Sequence, residues 1–207
     1  ALEISDRQQL LGATLGAGST TDYTTVSMTA IESRLAPSLD LFADVVMNPA
    51  FRPEDFQRAQ TQQVSGIQQS NRNPGAIANR VLADALYGDA SPYGRSNSGS
   101  EATVQALTPA DAEAFHNTWF RPDNATLVVV GDTTMAELVP ELERAFADWD
   151  APSSALPQRA GVGTPPSYSQ PQVLIVDRPG PQSIIMAGRL VPALDPSTEP
   201  NITAMNT

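Results

Sequence analysis

The spacing of apolar residues changes period several times along the chain, and each change marks an element. Between residues 11 and 31, Tyr23, Val26, Met28 and Ala30 recur at alternate positions in a Thr-rich stretch, which predicts two strands joined through Gly18-Ser19. Beyond Pro37 the interval lengthens, with Leu35, Leu39, Phe42, Val45 and Val46 on one helical face, and Asn48-Pro49 closes a helix over 37–47. Pro53 opens a helix over 53–71 with Glu54 and Asp55 in its first turn, where they complement the helix dipole. Asn73-Pro74 starts another over 75–87, aligned on Ile77, Val81, Leu82 and Leu86 and stopped by Gly88. Thr108-Pro109 reads as N-cap and first helical residue of a helix over 109–119. Leu138, Leu142 and Phe146 define a helix over 135–147 that tolerates Pro140 in its first turns.

Continuous apolar runs complete the pattern. ATLVVVGD predicts a buried strand over 125–131, and QVLIVDR with QSIIMAGR predicts two more within 172–189, parted by Pro179-Gly180-Pro181. Residues 89–100 have the composition of a surface loop, and 151–171, rich in Pro, Ser, Gly and Gln, that of a linker. The order predicts an α+β fold: a domain over 1–150 whose largely antiparallel sheet carries helices on one face, a linker over 151–171, and the beginning of a second, similar domain over 172–207. The opening ALEISDRQQLL starts as though inside a helix and the closing EPNITAMNT carries no stop signal, so a segment of a longer polypeptide is expected. Val173, Ile175, Ile184 and Met186 would then lack cover, which predicts self-association or folding back of 172–189.

Composition narrows the function. Against 23 acidic residues stand 12 basic ones, all Arg, for a net charge of −11. Such a surface repels phosphate backbones and anionic lipid, which disfavours nucleic-acid binding. No run approaches the roughly 18 apolar residues of a membrane span, so membrane insertion is not expected. Absence of Cys leaves the compartment open. His116 is the only histidine, and alone it cannot supply the two or three His, or Cys, that catalytic zinc sites typically use. Beside Phe115 and Trp119, it reads as a hydrogen-bonded structural residue. A serine triad would also have to rest on it, and no G-x-S-x-G string is present. Glu54 and Asp55 are helix-start residues, and Gly161 and Gly163 have no following Lys to form a phosphate loop. The glutamines at 57, 60, 62, 63, 68 and 69 read as a solvated helix face and secondarily as a polar wall.

Five strings then occur in one order: NPAF at 48–51, a Gln-rich helix ending in NRNP at 71–74, ALYGDASPYGR at 85–95, LTPADAEAFHNTWFRPDNATLVVVGD at 107–132 and FADW at 146–149. Together they resemble the insulinase and pitrilysin-type zinc proteases, particularly bacterial members similar to mitochondrial processing peptidase. The resemblance covers most of residues 10–150, and PQSIIMAGR is similar to the first strand of such a unit's second domain. It implies an H-x-x-E-H zinc motif upstream of Ala1, with Glu as general base, and a further Glu ligand on a later helix. At that downstream position this chain has Gly66 or its neighbour Ser65, neither of which holds zinc.

The resemblance therefore implies a non-catalytic unit, with no catalytic residue, no metal ligand and no identified substrate-binding residue of its own. It would shape a peptide-binding chamber and pair with a zinc-bearing unit, in the same or a separate chain, that supplies the zinc and hydrolyses peptide substrates. Two alternatives stand beside it: a purely structural or assembly subunit of the same fold, and part of an active zinc metalloendopeptidase. Ala-rich, Lys-free usage points to a bacterium, in the periplasm or cytoplasm, with the periplasm preferred.

Overall fold

The computed structural model describes residues 2–159 and 161–191. In chain order they form α1 (Leu2–Leu11), β1 (Thr14–Ser19), β2 (Thr24–Thr29), α2 (Leu35–Met47), α3 (Pro53–Ser70), α4 (Pro74–Tyr87), α5 (Glu101–Ala106), α6 (Pro109–Trp119) and α7 (Met135–Ala145). Single 3-10 turns fall at Glu32–Arg34, Pro92–Gly94 and Pro122–Asn124. The fold is α+β, and the helices expected from apolar spacing are all present close to their expected bounds.

Local chemistry sets the helix starts. The Asn73 carboxamide accepts the N–H of Ala76 at 3.1 Å, and Pro74, next in sequence, gives up no intrahelical bond. Ser100/Thr103, Thr108/Asp111 and Thr134/Glu137 each form a reciprocal capping box at the start of α5, α6 and α7.

The sheet is smaller than the sequence predicts. β1 and β2 form an antiparallel hairpin from Thr14↔Thr29 to Ser19↔Thr24, and this is the whole sheet among the described residues. The hairpin is largely exposed on both faces, so the helices pack chiefly on one another and not on one face of a sheet. The expected strands over 125–131 and 172–189 are not formed. A strand persists only where a neighbour takes up its N–H and C=O groups, and no described segment forms a ladder with either. Their apolar side chains are left in solvent, with Val128 78% and Val130 94% exposed. The expected opening of a second domain beyond residue 191 lies outside the described residues.

The chain divides into two compact units. The first comprises residues 1–69 and 97–160 and is centred on α2, whose Leu39, Leu41, Phe42, Ala43 and Val46 are buried. Leu138 of α7, Ile67 of α3 and Val104 of α5 are buried in the same unit. Phe146 meets Phe42 edge-on, with ring centroids 6.2 Å apart, and Arg144 of α7 reaches Asp40 of α2 at 2.6 Å. Ser38 is fully buried in α2.

The second unit comprises residues 70–96 and 161–207 and is built around α4. Residues 161–191 run along that helix and return. The Tyr168 hydroxyl donates to the Ala85 carbonyl at 3.0 Å, Arg178 donates to the Asn71 carbonyl at 2.8 Å, and Gly188 lies against Leu82 and Leu86.

Candidate functional site

The positions singled out by sequence fall on α3 and α6, both in the first unit. Gly66 sits in the last third of α3 on its exposed side, and a Cβ placed there would meet nothing within 4 Å. Ser65 is exposed too, and its hydroxyl donates back to the Thr61 carbonyl at 2.9 Å, within the helix. Glu54 and Asp55 stand in the first turn of the same helix, where Asp55 pairs with Arg58. These carboxylates lie several turns from Gly66 along the helix axis, at about 1.5 Å of rise per residue, and do not reach it.

His116 is held from three sides. Its Nε2 lies 2.7 Å from the Val46 carbonyl oxygen. Its ring stacks on Phe120 at a centroid distance of 4.7 Å, and Phe51 contacts it edge-on at 5.8 Å. Phe51 is the one non-glycine residue with positive φ among the described residues, at 43°. The NPAF string is thus the turn between α2 and α3, bent so that its Phe ring covers the imidazole.

Charged groups elsewhere serve structure. Arg121 is 4% exposed and forks onto both oxygens of Asp123, at 2.5 and 2.7 Å, while also donating to the Pro152 carbonyl. That bond holds the Asp123 carboxyl below its ordinary range. The Thr108 and Thr134 hydroxyls, with backbone N–H groups, do the same for Asp111 and Glu137.

The glutamines of α3 correct the sequence reading in part. Gln60 donates through Nε2 to the carbonyls of Val104 at 2.9 Å and Leu107 at 3.0 Å, capping the end of α5. Gln63 donates to the Ser98 carbonyl at 3.1 Å, and Gln68 to the Glu101 carboxylate at 2.9 Å. Half of the cluster therefore fastens residues 98–107 to α3, rather than facing water alone. The signal was in the sequence: Phe56, Gln60, Gln63 and Ile67 recur at helical spacing, so two glutamines lie on the apolar stripe. Between α3 and α5 lies a recess of about 420 Å³, lined by uncharged residues that include Phe56, Gln60, Gln63 and Leu107.

Sequence and structure comparisons agree on one family. The family model described as Insulinase (Peptidase family M16) matches residues 1–97, and the one described as Peptidase M16 inactive domain matches residues 106–207. The chain belongs to the M16, or insulinase, family of peptidases. It is 26% identical over 193 residues to a Mycobacterium tuberculosis protein named an uncharacterized zinc protease, an alignment covering 93% of this chain and 43% of that one. The crystal structure of a peptidase M16 inactive domain from Pseudomonas fluorescens superposes with a TM-score of 0.67 at 28% identity, over 76% of this chain and 39% of that one. A protease from Helicobacter pylori shares the fold with a TM-score of 0.69 at 21% identity, over 75% and 38% of the two chains. The chain thus spans less than half the length of these relatives.

The zinc implied by such relatives has no fitting donor set among the described residues. The only imidazole is bound to a backbone carbonyl and packed between rings, the chain has no thiol, and no three carboxylate or imidazole groups gather closely enough to hold a metal ion.

Proposed function

We propose that this chain is part of a non-catalytic unit of an M16 zinc-protease system, one that shapes the peptide-binding chamber and pairs with a zinc-bearing unit. The observation that carries this reading is the stretch Ser65-Gly66: at the position where the family resemblance requires a Glu ligand, the helix presents an exposed glycine and a hydroxyl committed to its own backbone. The match of residues 106–207 to the inactive-domain family supports it. So does the P. fluorescens structure. Zinc, on this reading, belongs to the catalytic unit, and the role of this one is to hold an extended peptide in register, which lowers the entropic cost of reaching the reactive geometry. Residues 172–189 are a candidate contact for association, with Val173 and Ile175 more than four-fifths exposed.

The test is metal content and hydrolysis measured together. Protein stripped with chelator, reloaded with zinc and desalted is expected to retain no stoichiometric metal and to leave a quenched fluorescent peptide uncut. Mixed with a zinc-bearing M16 unit from the same genome, it is expected to co-elute with that unit and to lower its KM. One tightly held equivalent of zinc, or cleavage by the chain alone, would overturn the reading.

A further inference from the structure

The recess between α3 and α5 has the chemistry of a peptide subsite. Its volume of about 420 Å³ lies within the range of about 300–1,000 Å³ usual for ligand pockets. Phe56, Val104 and Leu107 give it an apolar lining, and no charged side chain contributes to it although the chain carries a net charge of −11. Three carboxamides line it as well, each fixed by one half. Gln60 and Gln63 spend their Nε2 groups on backbone carbonyls, and Asn97 spends its Oδ1 on the Thr21 hydroxyl at 3.0 Å. The remaining halves, two carbonyl oxygens and one NH₂, have no partner among the described residues.

We infer that this recess binds a neutral peptide segment bearing an apolar side chain. A peptide backbone offers N–H donors for the two free oxygens and a carbonyl for the free NH₂, while the side chain fills the apolar lining. A hydrocarbon tail supplies no donors and would leave the oxygens facing apolar atoms, and an ionised ligand would lose its hydration with no countercharge to replace it. The amides are held in place before binding, so little rotamer freedom remains to be lost. This inference rests on the proposed peptide-positioning role but is read out without metal, partner or hydrolysis.

The experiment is NMR titration of the full chain with three capped tripeptides, acetyl-Ala-X-Ala-amide with X as Leu, Asp or Lys, and with cyclohexanol as an apolar control. The Leu peptide is expected to shift the side-chain NH₂ signals of Gln60, Gln63 and Asn97, with a Kd of about 1 mM or tighter. The Asp and Lys peptides should bind at least about tenfold more weakly. Ala59 is an exposed lining residue, so Ala59→Trp should fill the recess, leave the thermal melt unchanged and abolish the shifts. The inference is overturned if the Leu peptide causes no shift, if cyclohexanol or the charged peptides match it, or if Ala59→Trp binds as well as the parent. A chain that binds zinc would sink the proposed function and leave this titration interpretable. A chain that binds neither zinc nor peptide sinks only the subsite.

Discussion

His116 and Val46, seventy positions apart, are joined by a hydrogen bond of 2.7 Å between the imidazole Nε2 and the main-chain carbonyl. Val46 lies in the last turn of α2, where carbonyls have no intrahelical donor. The sole histidine therefore caps a helix end and locks α6 onto the centre of the first unit, with Phe120 and Phe51 packed around its ring.

Replacing that residue should act on stability. His116→Ala removes the donor and the stacked ring together, with an expected loss of about 1–3 kcal/mol. His116→Gln, which can still reach the carbonyl, should recover part of the loss. Urea titrations of both variants check this, and a change confined to peptide binding with unaltered stability would contradict it.

Two glycines should respond in opposite directions. Gly66 is interior to α3 with open space around it, so Gly66→Ala is expected to stabilise by about 0.5–1 kcal/mol. Gly94, in the SPYGR string, passes so close to Gly88 that a Cβ would collide with the Gly88 carbonyl oxygen. Gly94→Ala is expected to destabilise by about 1–3 kcal/mol, since backbone and not a flexible side chain must move. Thermal melts of the pair check the sign of each.

The capping boxes predict a pH dependence. Asp111 and Glu137 have carboxyls held below the ordinary range by the hydroxyl and N–H of Thr108 and Thr134. A lowered folded-state pKa adds stability that is complete above the unfolded carboxylate range, about pH 4–4.5, and is lost as pH falls through the lowered values. The double variant Thr108→Ala/Thr134→Ala should lose about 1 kcal/mol per cap at pH 7. Its deficit against the parent should shrink toward pH 3, and a deficit independent of pH would show that the carboxylates take no part.

The helices were legible because their signals are local. Thr108-Pro109, Asn73-Pro74 and the Leu138/Leu142 spacing fix starts and faces within a few residues of sequence. The hairpin was legible for the same reason, although its turn lies at residues 20–23 and not at the expected Gly18-Ser19, which pair with Thr25 and Thr24 at the end of β1. ATLVVVGD and QVLIVDR announce β-forming chemistry as clearly, but a strand depends on a neighbour that its own sequence does not specify, and among the described residues none pairs with them. At the site, the single His and the lack of Cys limit the chemistry in the sequence itself. The tethering by Gln60 and Gln63 was hidden because exposed and hydrogen-bonded glutamines look alike in composition, and only their place on the Phe56/Ile67 stripe separates them.

The second unit draws on two stretches, 70–96 and 161–207, with residues 97–160 of the first unit between them. Synthesis from the N-terminus therefore delivers α4 early and its companions late. Until Tyr168 leaves the ribosome the Ala85 carbonyl lacks its donor, and until Gly188 follows, Leu82 and Leu86 wait without the backbone that meets them in the finished fold. A protease nick between residues 150 and 159 would likewise divide the second unit between two fragments, while nearly all of the first stays on one.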